Sequence, residues 1–290
     1  ETMYTKLKTG GSSYDVIIPS DYMVGRLIDE GLLLPLNFDN IPNYQYMDEA
    51  YKNTAYDPDN LYSVPYTWGT VGIIYNSAYV DEEDVGSWDL LWNSKYAGKI
   101  LMFDNPRDAF AIALKKLGYS MNTTNADEIQ KAYEALAEQR PLLQGYYMDQ
   151  IFQKMINEEG WIAPYYSGDG AIMIYRDDGN KDIGYFVPDQ GTNLFVDAMC
   201  VTANSPHKTE AEQYINFLCR TDVAKANAEY IGYSTPQTEA RKALDPAVGE
   251  NPMFYPDDAV LKKTEVFITL DDATNTLQKN LWTKLKTLKD

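Results

Sequence analysis

The chain has 290 residues and is 44% hydrophobic, enough length for one large or two medium domains and enough apolar content to exclude intrinsic disorder. Its net charge of −18 and pI near 4.4 exclude a nucleic-acid binder, which needs Lys and Arg against phosphate, and argue against docking on an anionic membrane surface. The same charge favours a cationic ligand, which a negative cleft concentrates.

In chain order, residues 16–18 read as a buried strand that runs into a polar turn at Ser20 and then a helix over 23–33. Within three residues that turn offers a hydroxyl, a carboxylate and the ring of Tyr22, at the kind of strand-to-helix junction where open α/β sheets bind ligands. Residues 71–75 read as a strand, and Ser87 as the N-cap of a short helix over 88–92. A strand over 100–103 delivers Asn105 as N-cap and Pro106 as first residue of a helix through 117. Residues 125–138 form an amphipathic helix with Ile129, Tyr133 and Leu136 on one face. A strand over 194–202, helices over 208–220 and 222–230, and a closing helix over 272–285 complete an alternating α/β pattern.

Several polar residues stand out against this background. Asp197 interrupts an apolar strand, where a carboxylate is costly unless a cation or hydrogen bonds meet it; the alternative is a solvent-facing position. Asp169 lies in Tyr166-Ser-Gly-Asp-Gly170, read either as a close backbone approach to a ligand or as a plain turn. Asp108 falls one helical turn after Asn105, facing a ligand or merely the helix dipole. Trp68 is equally a cleft wall or a core residue. The 24 tyrosines supply rigid faces with polar tips.

Cys200 and Cys219 are expected to be buried free thiols, with a disulfide as the alternative, and no zinc or iron–sulfur pattern is present. No cofactor is expected. The single histidine, His207, sits in a turn-like stretch, and no Gly-x-Ser-x-Gly motif occurs, so no catalytic residue is assigned. No apolar run approaches the roughly 20 residues of a membrane span.

The stretch Tyr14-Asp-Val-Ile-Ile-Pro-Ser-Asp-Tyr22, with Met23 and Val24, resembles the polyamine-binding receptors of spermidine/putrescine ABC importers. Further likenesses follow in the family's order. They are Glu1-Thr-Met-Tyr-Thr-Lys-Leu-Lys8, Ser63-Val-Pro-Tyr-Thr-Trp-Gly69, Gly72-Ile-Ile-Tyr-Asn76 and Ser87-Trp-Asp-Leu-Leu-Trp-Asn-Ser-Lys-Tyr-Ala-Gly-Lys-Ile100, then Lys116-Leu-Gly-Tyr119, Asp222-Val-Ala-Lys225 and Ile231-Gly-Tyr-Ser-Thr-Pro236. Each motif is weak alone; their collinearity carries the resemblance.

The resemblance implies a two-lobe periplasmic-binding-protein fold of type II with a ligand cleft between the lobes. It implies residues 1–69 plus 197–241 in one lobe and 70–196 plus 242–290 in the other. Family members carry a strand–helix–strand segment before the Glu1 helix, so the first lobe is expected to lack it here. The family places a ligand-ammonium aspartate at Asp197 and a stacking aromatic at Phe195, with contacts at Ser20, Tyr22 and Tyr233. Tyr166 stands where relatives carry a tryptophan, and the Gly-Asp of Asp169 follows the putrescine-type pattern. Spermidine receptors carry Asp and Glu where this chain has Asn105 and Asp108, a departure expected to cost spermidine more than putrescine. A family glutamine has no counterpart near Phe267 and Ile268.

The implied partners are a polyamine and the permease subunits of an ABC importer, with no nucleic acid. The implied state is a monomer, with swapping through the absent segment as the alternative. The implied location is extracytoplasmic, in the periplasm or lipid-anchored at the outer face of the membrane, through a signal or anchor not present in this chain. Two rival readings remain: a receptor of the same fold for a sugar, amino acid or metal ion, and a hydrolase using Asp169 and Asp197 as a carboxylate pair.

Overall fold

The computed structural model describes residues 2–10, 13–175 and 179–288; Glu1 of the first motif lies outside them. In chain order the elements are α1 (Thr2–Lys8), β1 (Val16–Ile17), α2 (Asp21–Asp29), β2 (Ser63–Asn76), β3 (Ile100–Phe103), α3 (Pro106–Lys116), α4 (Ala126–Gln139), β4 (Leu143–Tyr147) and α5 (Gln150–Ile156). There follow β5 (Ile162–Tyr166), α6 (Ser167–Tyr175), β6 (Ile183–Phe186), β7 (Leu194–Val201), α7 (Lys208–Leu218), α8 (Thr221–Ile231), α9 (Thr238–Ala243), α10 (Pro246–Gly249), α11 (Asp258–Leu261) and α12 (Asp272–Thr287). The chain divides into two compact units. Unit 1 comprises the residues up to Trp68 with Phe195–Glu250 and Val266–Thr269; unit 2 holds the remainder.

Unit 1 is built on β7. β1 pairs with it antiparallel, Val16 opposite Val201 and Ile17 opposite Cys200. Leu36, Ile41, Val64, Met199, Ile215 and Leu218 form the core between this strand and α7. Cys200 and Cys219 are both buried and unbonded. Burial pushes the Cys219 thiol up to about 12, and moves Cys200 in the same direction. Helix α2 starts at Asp21 but stops at Asp29, short of the expected residue 33, because Gly31 takes a left-handed conformation at φ +67° and turns the chain away.

In unit 2, β3 lies between two parallel neighbours. It pairs with β4 from Ile100 opposite Leu143 to Phe103 opposite Tyr147, and with β5 at Ile100 opposite Ile162. β5 in turn pairs antiparallel with β2, which also carries β6. All four β3 residues are fully buried, as a central strand of a covered sheet requires. Asn105 caps α3, its Oδ1 accepting from the Arg107 N–H at 2.9 Å, and Pro106 follows at the first helical position. Asn125 caps α4 in the same way. Helix α4 packs on α3 and α12. Ser87 caps a 3-10 helix over Trp88–Trp92. Both tryptophans are tied by their indole N–H groups, Trp88 to Gly191 O at 2.8 Å and Trp92 to Ala135 O at 2.7 Å.

Gly72 is dictated by packing. A Cβ there would lie 2.4 Å from the Tyr185 ring and 2.5 Å from Phe186 O. The Tyr185 hydroxyl donates to Thr70 O at 3.1 Å across the same contact.

Candidate functional site

In unit 1 the pleat of β7 alternates burial, so that Phe195 and Asp197 emerge on one face while Val196 and Ala198 go into the core. The turn before α2 lies alongside. Ser20 bridges to Asp197, and the Ala198 N–H donates to Pro19 O at 3.0 Å. Thr67 Oγ1 donates to Asp197 Oδ2 at 3.4 Å. Burial raises the Asp197 carboxyl above the usual carboxylate range, while the Ser20 and Thr67 hydroxyls pull it back. No Lys or Arg pairs with it among the described residues. Phe195 and Tyr233 meet edge to face at 6.0 Å, and Tyr22 meets Phe267 edge to face at 6.3 Å. The structure therefore brings Ser20, Phe195, Asp197 and Tyr233 together. Trp68 is 3% exposed and packs on Tyr51 at 5.1 Å.

Two contributors went unassigned in the sequence. Thr67 is one; Asp21 is the other. Asp21 is fully buried, and its Oδ2 accepts from the Val196 N–H at 3.2 Å, which fastens the start of α2 beside Asp197. An aspartate in the first turn of a helix was visible as a pattern; its tie to a strand far along the chain was not.

In unit 2 the candidates gather at the carboxyl ends of the parallel strands, the edge where open α/β sheets take ligands. β3 ends at Phe103 and leads to Asn105 and Asp108; β5 ends at Tyr166 and leads directly into α6 and Asp169. The Phe103 ring lies against Tyr166 at 5.2 Å and Tyr165 at 6.2 Å. Asp108 is 7% exposed, and burial lifts its carboxyl to about 6 against the opposing pull of Arg107. Arg107 itself is engaged elsewhere, donating to Met121 O at 3.1 Å and Asn122 Oδ1 at 2.6 Å. Asn105 spends its acceptor on the cap of α3. Tyr166 ends β5 and residues 167–170 are the start of a helix, not a free turn; a Cβ on Gly170 would sit 2.9 Å from Met253 Cε, so this glycine makes room for packing.

Among the described residues no group of His, Cys, Asp or Glu is arranged to hold a metal, and no helix is long and apolar enough to cross a membrane. The arrangement in each unit is one of carboxylates beside aromatic rings, suited to organic cations.

Residues 1–256 match the family model of the bacterial extracellular solute-binding proteins. The chain belongs to this family. A spermidine/putrescine-binding periplasmic protein of Salmonella typhimurium is 36% identical over 287 residues, covering 99% of this chain and 81% of the relative. Its namesake in Escherichia coli is 38% identical over 266 residues, 91% of this chain and 76% of the relative. Among solved structures, the spermidine/putrescine ABC transporter substrate-binding protein PotD from Streptococcus pneumoniae, in complex with calcium and HEPES, superposes with a TM-score of 0.89 at 34% identity, covering 98% of this chain and 87% of that one. This solute-binding protein is accordingly a binding protein and not an enzyme.

Proposed function

We propose that this solute-binding protein captures a polyamine of the putrescine or spermidine class outside the cytoplasm and delivers it to an ABC permease. One observation carries the reading: Asp197 is a half-buried carboxylate with a raised pKa, on the same strand face as Phe195, whose ring meets Tyr233. Such a group is destabilised until a cation meets it, and the neighbouring rings suit the methylenes of an alkylammonium. The relatives named above, which bind spermidine and putrescine, support the same ligand class. Amines of this kind are protonated near neutral pH, as lysine is with a pKa of about 10.4. In unit 1, Ser20 and Thr67 orient the Asp197 acceptor; taken by itself, unit 2 offers Asp108 and Asp169 as candidate ammonium acceptors.

A thermal-shift panel tests the reading. Putrescine or spermidine should raise the melting temperature in a dose-dependent way, since a ligand that binds only the native state stabilises it. A shift with maltose and none with either amine sinks the proposal.

A further inference from the structure

The topology of the parallel strands puts an unassigned carboxylate at the same sheet edge as Asn105. Phe103 on β3 pairs with Tyr147 on β4, and the Asp104 N–H donates to Tyr147 O at 2.9 Å. Counting two residues onward along each strand reaches Asn105 on one and Asp149 on the other. These two residues hold equivalent places in the fold: each is the N-cap of the helix that follows its strand. Their side chains are used differently. Asn105 gives its oxygen to the Arg107 N–H, whereas Asp149 makes no side-chain capping bond and is exposed. The carboxylate of Asp149 also acts on its surroundings, since its field joins that of Asp169 in keeping the Tyr165 phenol protonated, after burial itself. Asp149 and Asp169 thus both lie close enough to act on one ring of the aromatic cluster at the strand ends.

A second observation asks for a ligand at this edge. Asp108 is more than nine-tenths buried and has no hydrogen bond among the described residues, while its one cationic neighbour, Arg107, is directed to Met121 and Asn122. Asp108 lies three residues beyond Asn105 in the first turn of α3, about 4.5 Å of rise, and Asp149 follows the neighbouring strand β4 at the same edge of the sheet.

We propose that Asp149 is a further specificity-determining residue, which with Asp108 receives two successive ammonium groups of one polyamine on unit 2 and restores the negative charge that Asn105 does not supply. The inference rests on the polyamine reading above. Asp108, being buried, is the costlier carboxylate to leave unpaired and takes the first ammonium; exposed Asp149 is engaged by an additional one. A diamine, with one ammonium on Asp108, has a single ammonium left, for which Asp169 competes, whereas a triamine has a further one for Asp149; a triamine therefore depends on Asp149 more than a diamine does.

Titration calorimetry of spermidine and putrescine against wild type, Asp149→Asn, Asp149→Glu and an exposed control on α4, Asp127→Asn, tests this. For Asp149→Asn the expected result is a loss of about fivefold for spermidine and under about twofold for putrescine, the scale of a solvent-accessible charge pair. Asp149→Glu should retain spermidine affinity and Asp127→Asn should leave both amines unchanged. Wild-type affinity of Asp149→Asn for spermidine overturns the proposal, as does an equal loss for both amines matched by Asp127→Asn. A wild type that binds neither amine is a different failure, that of the polyamine reading itself, and is seen before any variant is made.

Discussion

Replacing Asp197 with asparagine removes the charge and preserves the shape, so the proposed ammonium acceptor is tested with little disturbance of packing. Truncating one partner of a buried, hydrogen-bonded charge pair costs about 2–5 kcal/mol. Asp197 is only half-buried, and two hydroxyls already share its charge, so the lower part of that range applies. About 2–3 kcal/mol corresponds to a roughly 30- to 150-fold rise in Kd. The ligand-free protein should respond in the opposite sense. A carboxyl whose folded pKa is raised contributes stability below its unfolded pKa and loses it as pH rises through the folded value. At neutral pH the ionised Asp197 is therefore a cost to the free fold, and Asp197→Asn should leave the ligand-free melting temperature unchanged or raise it. Calorimetric titration with spermidine and putrescine, paired with a thermal melt of the free protein, reads both signs. Unchanged affinity for both amines would remove Asp197 from the site and refute the reasoning.

Two further outcomes follow from particular residues. Because burial lifts Asp108 to about 6, polyamine affinity should weaken as pH falls through that value, and Asp108→Asn should abolish the step; a wild-type affinity flat between pH 5 and 7, measured by titration and so set against a window of about one unit either side, would exclude an ionised Asp108 from binding. Gly72→Ala would press a methyl into Tyr185 and the Phe186 carbonyl, at a cost of about 1–3 kcal/mol, and should lower the melting temperature by several degrees; an unchanged melt would show that β6 yields freely.

The elements that announced themselves in the sequence were those with local chemistry. The run from Ile100 to Pro106 combines an apolar strand, an Asn cap and a Pro at the first helical position, and the structure has each in place. The same holds for Ser87 before Trp88, and the helix expected over 125–138 is α4, with Asn125 standing outside it as the cap. Of the two readings of residues 166–170, the plain turn is the one the structure removes: α6 begins at Ser167, and Gly170 packs close to Met253. β4 was passed over: Leu143-Gln-Gly-Tyr-Tyr147 is half-buried throughout and shows no alternation of apolar and polar residues. The polar contacts of the candidate site were the least legible. Ser20 and Thr67 reach Asp197 through strand pairing between distant segments, and no local pattern encodes which distant residues will meet. The family was legible because its short motifs occur in order along the chain, a property of the whole sequence that no single segment holds.

The two interior thiols tie the chemical lifetime of this protein to its cooperativity. Outside the cytoplasm, sulfhydryl groups face oxidants that the cell interior keeps in check. Cys200 and Cys219 meet them only when the core of unit 1 opens, and in the closed form burial keeps both protonated and unreactive. Their rate of oxidation is then the intrinsic thiol rate multiplied by the population of the open state, provided that closing outpaces the chemistry. Any bound solute that stabilises the native state lowers that population, so a filled receptor ages more slowly than an empty one.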